Sequence, residues 1–127
     1  MGLNTIFHNL SRNRSLLPAG SRVLSLDIGY GSVKKMLGDL TSCSGCSLVE
    51  LRVSLPIEGP QQVTALSQIH LPAHEAELVR ILPQIVDLVR SHLQQDPGIK
   101  VAVFDWVTSN SAVLLPVQEL TRLCHER

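Results

Sequence analysis

A chain of 127 residues with 44% hydrophobic content has the length of one domain and enough apolar residues to fill a core, which excludes an extended disordered chain. Eleven basic and eleven acidic residues cancel, with no basic block, so a nucleic-acid partner is not expected. No apolar run approaches the roughly 20 residues that cross a bilayer, and the amino terminus lacks the charged-then-apolar signal pattern; the expectation is a soluble, cytoplasmic protein with no membrane partner.

With aromatics at 3%, the core must be built from Leu, Val and Ile. Leu3, Ile6, Phe7 and Leu10 recur at i, i+3, i+4, i+7 and predict a short amphipathic helix over 3–12. Asn13 to Gly20, with Pro18 and Gly20, is the connection that follows. Arg22 to Met36, RVLSLDIGYGSVKKM, then reads as a strand, a tight turn and a helix. The carboxyl end of a parallel strand beside a helix amino terminus is where open α/β sheets place ligands. Gly29 and Gly31 let the backbone turn or approach a ligand closely. Two readings of Tyr30 stay open: its ring is presented at the sheet edge, or it packs on the protein in a plain βα turn.

Val33, Met36, Leu37 and Leu40 continue at helical spacing, and Gly38 with the Ser/Gly cluster from Thr41 to Ser47 is expected to end that helix. Cys43 and Cys46 form a C-x-x-C, but late, in what reads as a loop after a helix; a thioredoxin-like pair should open a helix instead. Cys124 makes the set odd, and with His125 it is one remote doublet, so neither a disulfide framework nor a zinc site is expected. Leu48 to Leu55 alternates Leu48, Glu50 and Arg52 against Val49, Leu51, Val53 and Leu55, predicting a strand with one polar face near a sheet edge. Pro56 and Gly59-Pro60 stop it. Gln61 to Ala73 is compatible with a short strand or a loop, and His70 and His74, flanking Pro72, read as surface residues rather than a metal pair.

Glu75 to Gln95 carries Leu78, Val79, Leu82, Ile85, Val86, Val89 and Leu93 on one face. Pro83 either kinks this helix or sits in the first turn of a shorter one. Ile99 to Trp106 reads as a buried strand, with Val101, Val103, Phe104 and Trp106 supplying bulk. Its carboxyl end runs into Val107-Thr108-Ser109-Asn110-Ser111, whose hydroxyls are expected to face the crevice of Tyr30. Pro116 opens a last helix to about Glu126, with Val117, Leu120, Leu123 and Cys124 inward. A helix starting almost at Met1 and a chain stopping without a following strand suggest a piece of a longer protein, marginally stable and prone to self-association through an exposed apolar edge.

The expected fold is therefore α/β: a partial three-layer sandwich with a mainly parallel sheet flanked by helices, spanning residues 1–127 as one partial domain. The stretch from Gly20 through Met36, together with KVAVFDWVTSNSAVLLPVQELTRLCHER, closely resembles the class V aminotransferase family of pyridoxal-phosphate enzymes. The isopenicillin-N-epimerase-like branch, related to cysteine desulfurases, is the nearest in pattern. That branch has strand, acid, small residue, Tyr-Gly, helix, here Asp27 to Gly31. It also has Asp-His-x-Thr-Ser followed by Leu-Pro-Val, here Asp105 to Ser109 and Leu115 to Val117, with Trp106 in place of the histidine and Asn110 where proline is common.

The resemblance implies a fragment of a fold type I large domain, with Tyr30 stacking on the pyridine ring of pyridoxal 5'-phosphate and Thr108 and Ser109 near the ring's phenolic oxygen. It implies a small amino-acid substrate and a homodimer for the full-length form. It also places the phosphate turn before Met1, and the pyridinium-pairing Asp and Schiff-base Lys after Arg127. Lys34, Lys35 and Lys100 do not match the catalytic position, so no catalytic residue is expected in this stretch and the chain alone should be inactive. Two other readings compete: a non-catalytic α/β binding or interaction module that retains the scaffold, and a redox module using Cys43 and Cys46.

Overall fold

The computed structural model describes residues 2–54, 73–109 and 112–126. In chain order they form helix α1 (Gly2–Arg12), strand β1 (Arg22–Leu26), helix α2 (Gly31–Ser44), strand β2 (Ser47–Leu51), helix α3 (Ala73–Gln95), strand β3 (Ile99–Val103) and helix α4 (Val117–His125). The strands make one parallel sheet in the order β2-β1-β3, with Leu24 opposite Val49 on one side and Ala102 on the other.

β1 is central because its side chains are apolar toward both faces. Val23 packs with Phe7, Leu17, Leu37 and Leu40 beneath α1 and α2. Leu24 and Leu26 pack on the opposite face with Ile85, Val89, Leu120 and Leu123 of α3 and α4. The result is the expected α/β sandwich of three layers. At the amino end of the sheet Arg22 is paired with Asp96, which holds its guanidinium pKa above the ordinary arginine value; the Arg22 amide also donates to Gly98 O at 2.8 Å.

The order of the strands positions the site. From β1 the chain passes through α2 to β2 on one side, then returns through α3 to β3 on the other side of β1. Right-handed crossovers taken in opposite directions deliver their helices to opposite faces. The loops leaving β1 and β3 therefore diverge, one toward α2 and the other toward α4, and open a crevice at the carboxyl ends of two adjacent strands.

Several local expectations are corrected. α2 passes through Gly38 and ends within the Ser/Gly cluster, at Ser44; the first hydroxyls of the cluster bond back to the helix and carry it that far. Thr41 Oγ1 donates to Leu37 O at 3.0 Å, and Ser44 Oγ to Leu40 O at 2.7 Å. The stop is Gly45, in the left-handed conformation at φ 69°, ψ 24°, with the Gly45 and Cys46 amides both directed at Thr41 O in a Schellman-type cap. Cys43 accordingly lies in the last helical turn, exposed, and only Cys46 follows the cap. β2 ends at Leu51, short of the expected Leu55; Glu50 and Arg52 are exposed on the expected polar side, but Leu48 on that side packs with the α1/α2 cluster, while Val49 and Leu51 pack on the other. Its position at an edge among the described strands is as expected.

α3 starts at Ala73 and continues unbroken through Pro83, so the proline neither opens nor splits it. β3 stops at Val103, and Trp106 is 66% exposed rather than buried, because the chain leaves the ladder at Phe104 and Asp105 turns toward the β1 loop. The ambiguous stretch at Gln61 to Pro72, with His70, and the side chain of His74 lie outside the described residues.

Two stability outcomes follow. Gly45→Ala should lower stability by about 1 kcal/mol, because a side chain adopts the left-handed region at that order of cost and nothing but an ordinary contact with Ala19 surrounds the site. Ser25→Ala should instead raise it by about 1 kcal/mol, since Ser25 is 4% exposed and its Oγ has no hydrogen-bond partner among the described residues. Urea denaturation midpoints measure both, and opposite signs are the expected result.

Candidate functional site

The crevice is walled by the turn after β1 and the loop after β3. In the first, Gly29 N–H donates to Leu26 O at 3.1 Å, a tight reversal that carries the chain up to Tyr30. A Cβ on Gly29 would lie 3.2 Å from Leu26 O and 3.7 Å from Asp105 Oδ2, so the closeness of this turn depends on the missing side chain. Gly31 has open space around it, so no close approach explains that glycine. Tyr30 occupies the position before α2 with extended backbone, φ −65° and ψ 131°, and its residue is 52% exposed. Of the two readings of Tyr30, presentation at the sheet edge is the one the structure has.

The acids at the strand ends are engaged with backbone. Asp27 Oδ1 accepts the Val53 N–H at 2.9 Å and so fixes the exit of β2. Asp105 Oδ2 accepts the Tyr30 N–H at 2.6 Å, a bond that spans the crevice from one loop to the other. Lys34 donates to Asp27 O at 3.1 Å and pairs with Glu50 at 2.8 Å. That pair is about one-third exposed on each side, where an ion pair contributes roughly 0–1 kcal/mol, so its main effect is to orient the lysine across the turn.

The second wall is a narrow ribbon. Thr108 is 2% exposed, its Oγ1 accepts the Val113 N–H at 2.9 Å, and the Thr108 N–H donates to Val113 O at 3.0 Å. Val107 and Leu114 form an antiparallel bridge, and Leu115 N–H donates to Trp106 O at 2.9 Å. The ribbon carries Ser109 exposed on its turn and leaves Trp106, Val107 and Leu114 exposed along its sides.

Sequence reasoning thus brought the right two loops to one edge, but the structure gives their residues different situations. Tyr30 and Ser109 are at the surface, whereas the Thr108 hydroxyl is turned to Val113. Between the loops lies a cavity of about 10 Å³ lined by Ser25, Gly29, Lys34, Asp105, Thr108 and Leu115, among others. That is room for about one water molecule, so an organic ligand would lie over the edge and not within it. The residue missed from the sequence was Asp105; the available signal was an acid directly after an apolar strand and directly before the polar cluster. Among the described residues no three His, Cys, Asp or Glu side chains gather to hold a metal, and no helix is long and apolar enough to cross a membrane.

Two curated proteins align with most of the chain. A protein of Oryza sativa subsp. japonica named L-cysteine desulfhydrase 1 is 26% identical over 107 residues, 84% of this chain. A chloroplastic L-cysteine desulfhydrase, so named, of Arabidopsis thaliana is 26% identical over 105 residues, 83% of this chain. The chain spans 18% of the length of each. No protein-family model matches.

The Thr108 clasp predicts that Thr108→Val will cost about 1–3 kcal/mol, since it leaves the buried Val113 N–H without its acceptor. Thr108→Ser retains the oxygen and should cost less than half as much. Chemical denaturation of the two variants side by side is the check.

Proposed function

We propose that these residues form the ring-stacking wall of a pyridoxal-phosphate-dependent lyase of the cysteine desulfhydrase type, as a partial large domain of the class V aminotransferase family. The observation that carries the reading is Tyr30, half-exposed at the point where the sheet reverses its winding and facing a loop that exposes Ser109. The two plant relatives support it, being named for a reaction on a sulfur amino acid. A small amino-acid substrate, a homodimeric full-length form and a cytoplasmic or organellar setting belong to the same proposal.

The residues fit the cofactor in part. A flat, electron-poor pyridine matches an exposed phenol face, and the close Gly29 turn keeps that face near the sheet. Ser109 offers an exposed hydroxyl for the ring oxygen. The contribution of Thr108 runs through the ribbon it closes, because its own hydroxyl is bonded to Val113. When bound, pyridoxal phosphate supplies an electron sink for breaking bonds at an amino-acid α-carbon. This stretch orients the ring; the Schiff-base lysine that the family requires is not among Lys34, Lys35 and Lys100, and Lys34 is engaged with Asp27 and Glu50.

Trp106 is the one tryptophan of the sequence and lies exposed on the second wall, so its fluorescence reports binding. Pyridoxine 5'-phosphate, which has no aldehyde to label surface lysines, should quench it saturably. Tyr30→Ala should weaken that binding about threefold to tenfold, the order expected for loss of one aromatic stacking contact. Absence of saturable quenching, or equal affinity in Tyr30→Ala, would overturn the reading.

A further inference from the structure

We infer that Asp105 is a positioning residue: its carboxylate sets the orientation of Tyr30 by holding the Tyr30 peptide across the crevice, and it is neither a ligand nor an acid–base group. The inference rests on the reading of Tyr30 as the stacking residue and adds the device that aims it.

Tyr30 has few other constraints. It precedes the first residue of α2, where helix amides lack intrahelical acceptors, and it has no side-chain cap of its own. Its carbonyl is held by the Lys34 N–H at 3.0 Å, and its N–H by Asp105 Oδ2 at 2.6 Å. With both ends of this half-exposed residue tied, the two bonds fix the peptide planes on either side of Tyr30 and so the direction of the Cα–Cβ bond from which the ring projects. The partner at the carbonyl is local; the one at the amide is 75 residues away on the other loop. Asp105 therefore makes the position of the aromatic ring depend on the position of the Thr108 ribbon.

The geometry also explains why an aspartate stands there. A bond from an amide to a charged carboxylate is roughly twice as strong as one between neutral groups. The carboxylate passes over Gly29, where a Cβ would come within 3.7 Å of Oδ2, so the glycine and the acid form one arrangement. Lys34 is the other charged side chain lining the same cavity, and it is engaged with Asp27 O and Glu50.

The test uses the 127-residue chain with two readouts. In ¹⁵N–¹H spectra the Tyr30 amide proton should be displaced downfield and should move upfield as acid protonates the carboxylate. Asp105→Asn keeps an oxygen acceptor, so it should abolish the pH dependence while weakening pyridoxine 5'-phosphate binding less than threefold by calorimetry. Asp105→Ala should remove the downfield displacement and weaken binding about as much as Tyr30→Ala. The double variant Tyr30→Ala/Asp105→Ala should bind no more weakly than Tyr30→Ala alone, because the two residues act as one unit. A pH-independent Tyr30 amide in the unmodified chain, wild-type affinity in Asp105→Ala, or additive losses in the double variant would each overturn the inference. If the unmodified chain does not bind pyridoxine 5'-phosphate, the functional reading fails, and the amide titration decides by itself whether Asp105 holds Tyr30. Should Asp105→Ala fail to fold, Asp105→Asn and its titration decide the question.

Discussion

The constraint on which this structure depends is the double burial of β1. A strand covered on both faces must be apolar toward both, and Val23, Leu24 and Leu26 meet that condition within five residues. Helices must then lie on both sides of the sheet, and the chain can supply them only by winding away from β1 in two directions. The crevice at the carboxyl ends of β1 and β3 is a consequence of that reversal and requires no dedicated pocket. Ser25 shows what the arrangement tolerates: the one polar side chain within the apolar part of the strand has its hydroxyl buried without a partner among the described residues.

Across the crevice, the Tyr30 amide and the Asp105 carboxylate join the two diverging loops. The ion pairs of Lys34 with Glu50 and of Arg22 with Asp96 lie elsewhere, between α2 and β2 and at the amino end of the sheet, and both are partly exposed, so solvent screening leaves each with little influence on stability. The Tyr30–Asp105 bond is short and charge-assisted, and it crosses between loops that belong to opposite faces of the sheet. Geometry at the edge is therefore governed by one carboxylate more than by the more numerous surface charges.

Much of this was legible in the sequence because the decisive features are local. Apolar runs fix the strands, and the pattern of Asp27 to Gly31 fixes a turn with an aromatic residue at its tip. What failed was information that depends on three-dimensional neighbours. Gly38 looks like a helix terminator but lies inside α2, and the stop falls at Gly45 only after the Thr41 and Ser44 hydroxyls have found the preceding carbonyls. Leu48 looked like part of a polar face because alternation cannot reveal that the cluster under α1 and α2 reaches the start of β2, while Glu50 and Arg52 beyond it stay exposed. Trp106 looked like core because bulk and position suggest burial, whereas the chain leaves the ladder two residues earlier to bring Asp105 to Tyr30. Thr108 was found for its hydroxyl, and the structure gives that hydroxyl a loop-closing bond.

These assignments have a common chemical consequence. Asp27, Asp105, Lys34 and Thr108, the groups at this edge best suited to exchange protons or bind ions, are all bonded within the protein. The groups left facing outward are the Tyr30 ring, the Ser109 turn and the apolar side chains of Trp106, Val107 and Leu114. On the proposed reading such a surface would take a flat ring by shape and stacking, at an angle set by the Tyr30–Asp105 bond. It has little means of moving a proton. A reaction on a ring held here would therefore draw its acid–base groups from residues other than these four, which are already committed to bonds that shape the edge.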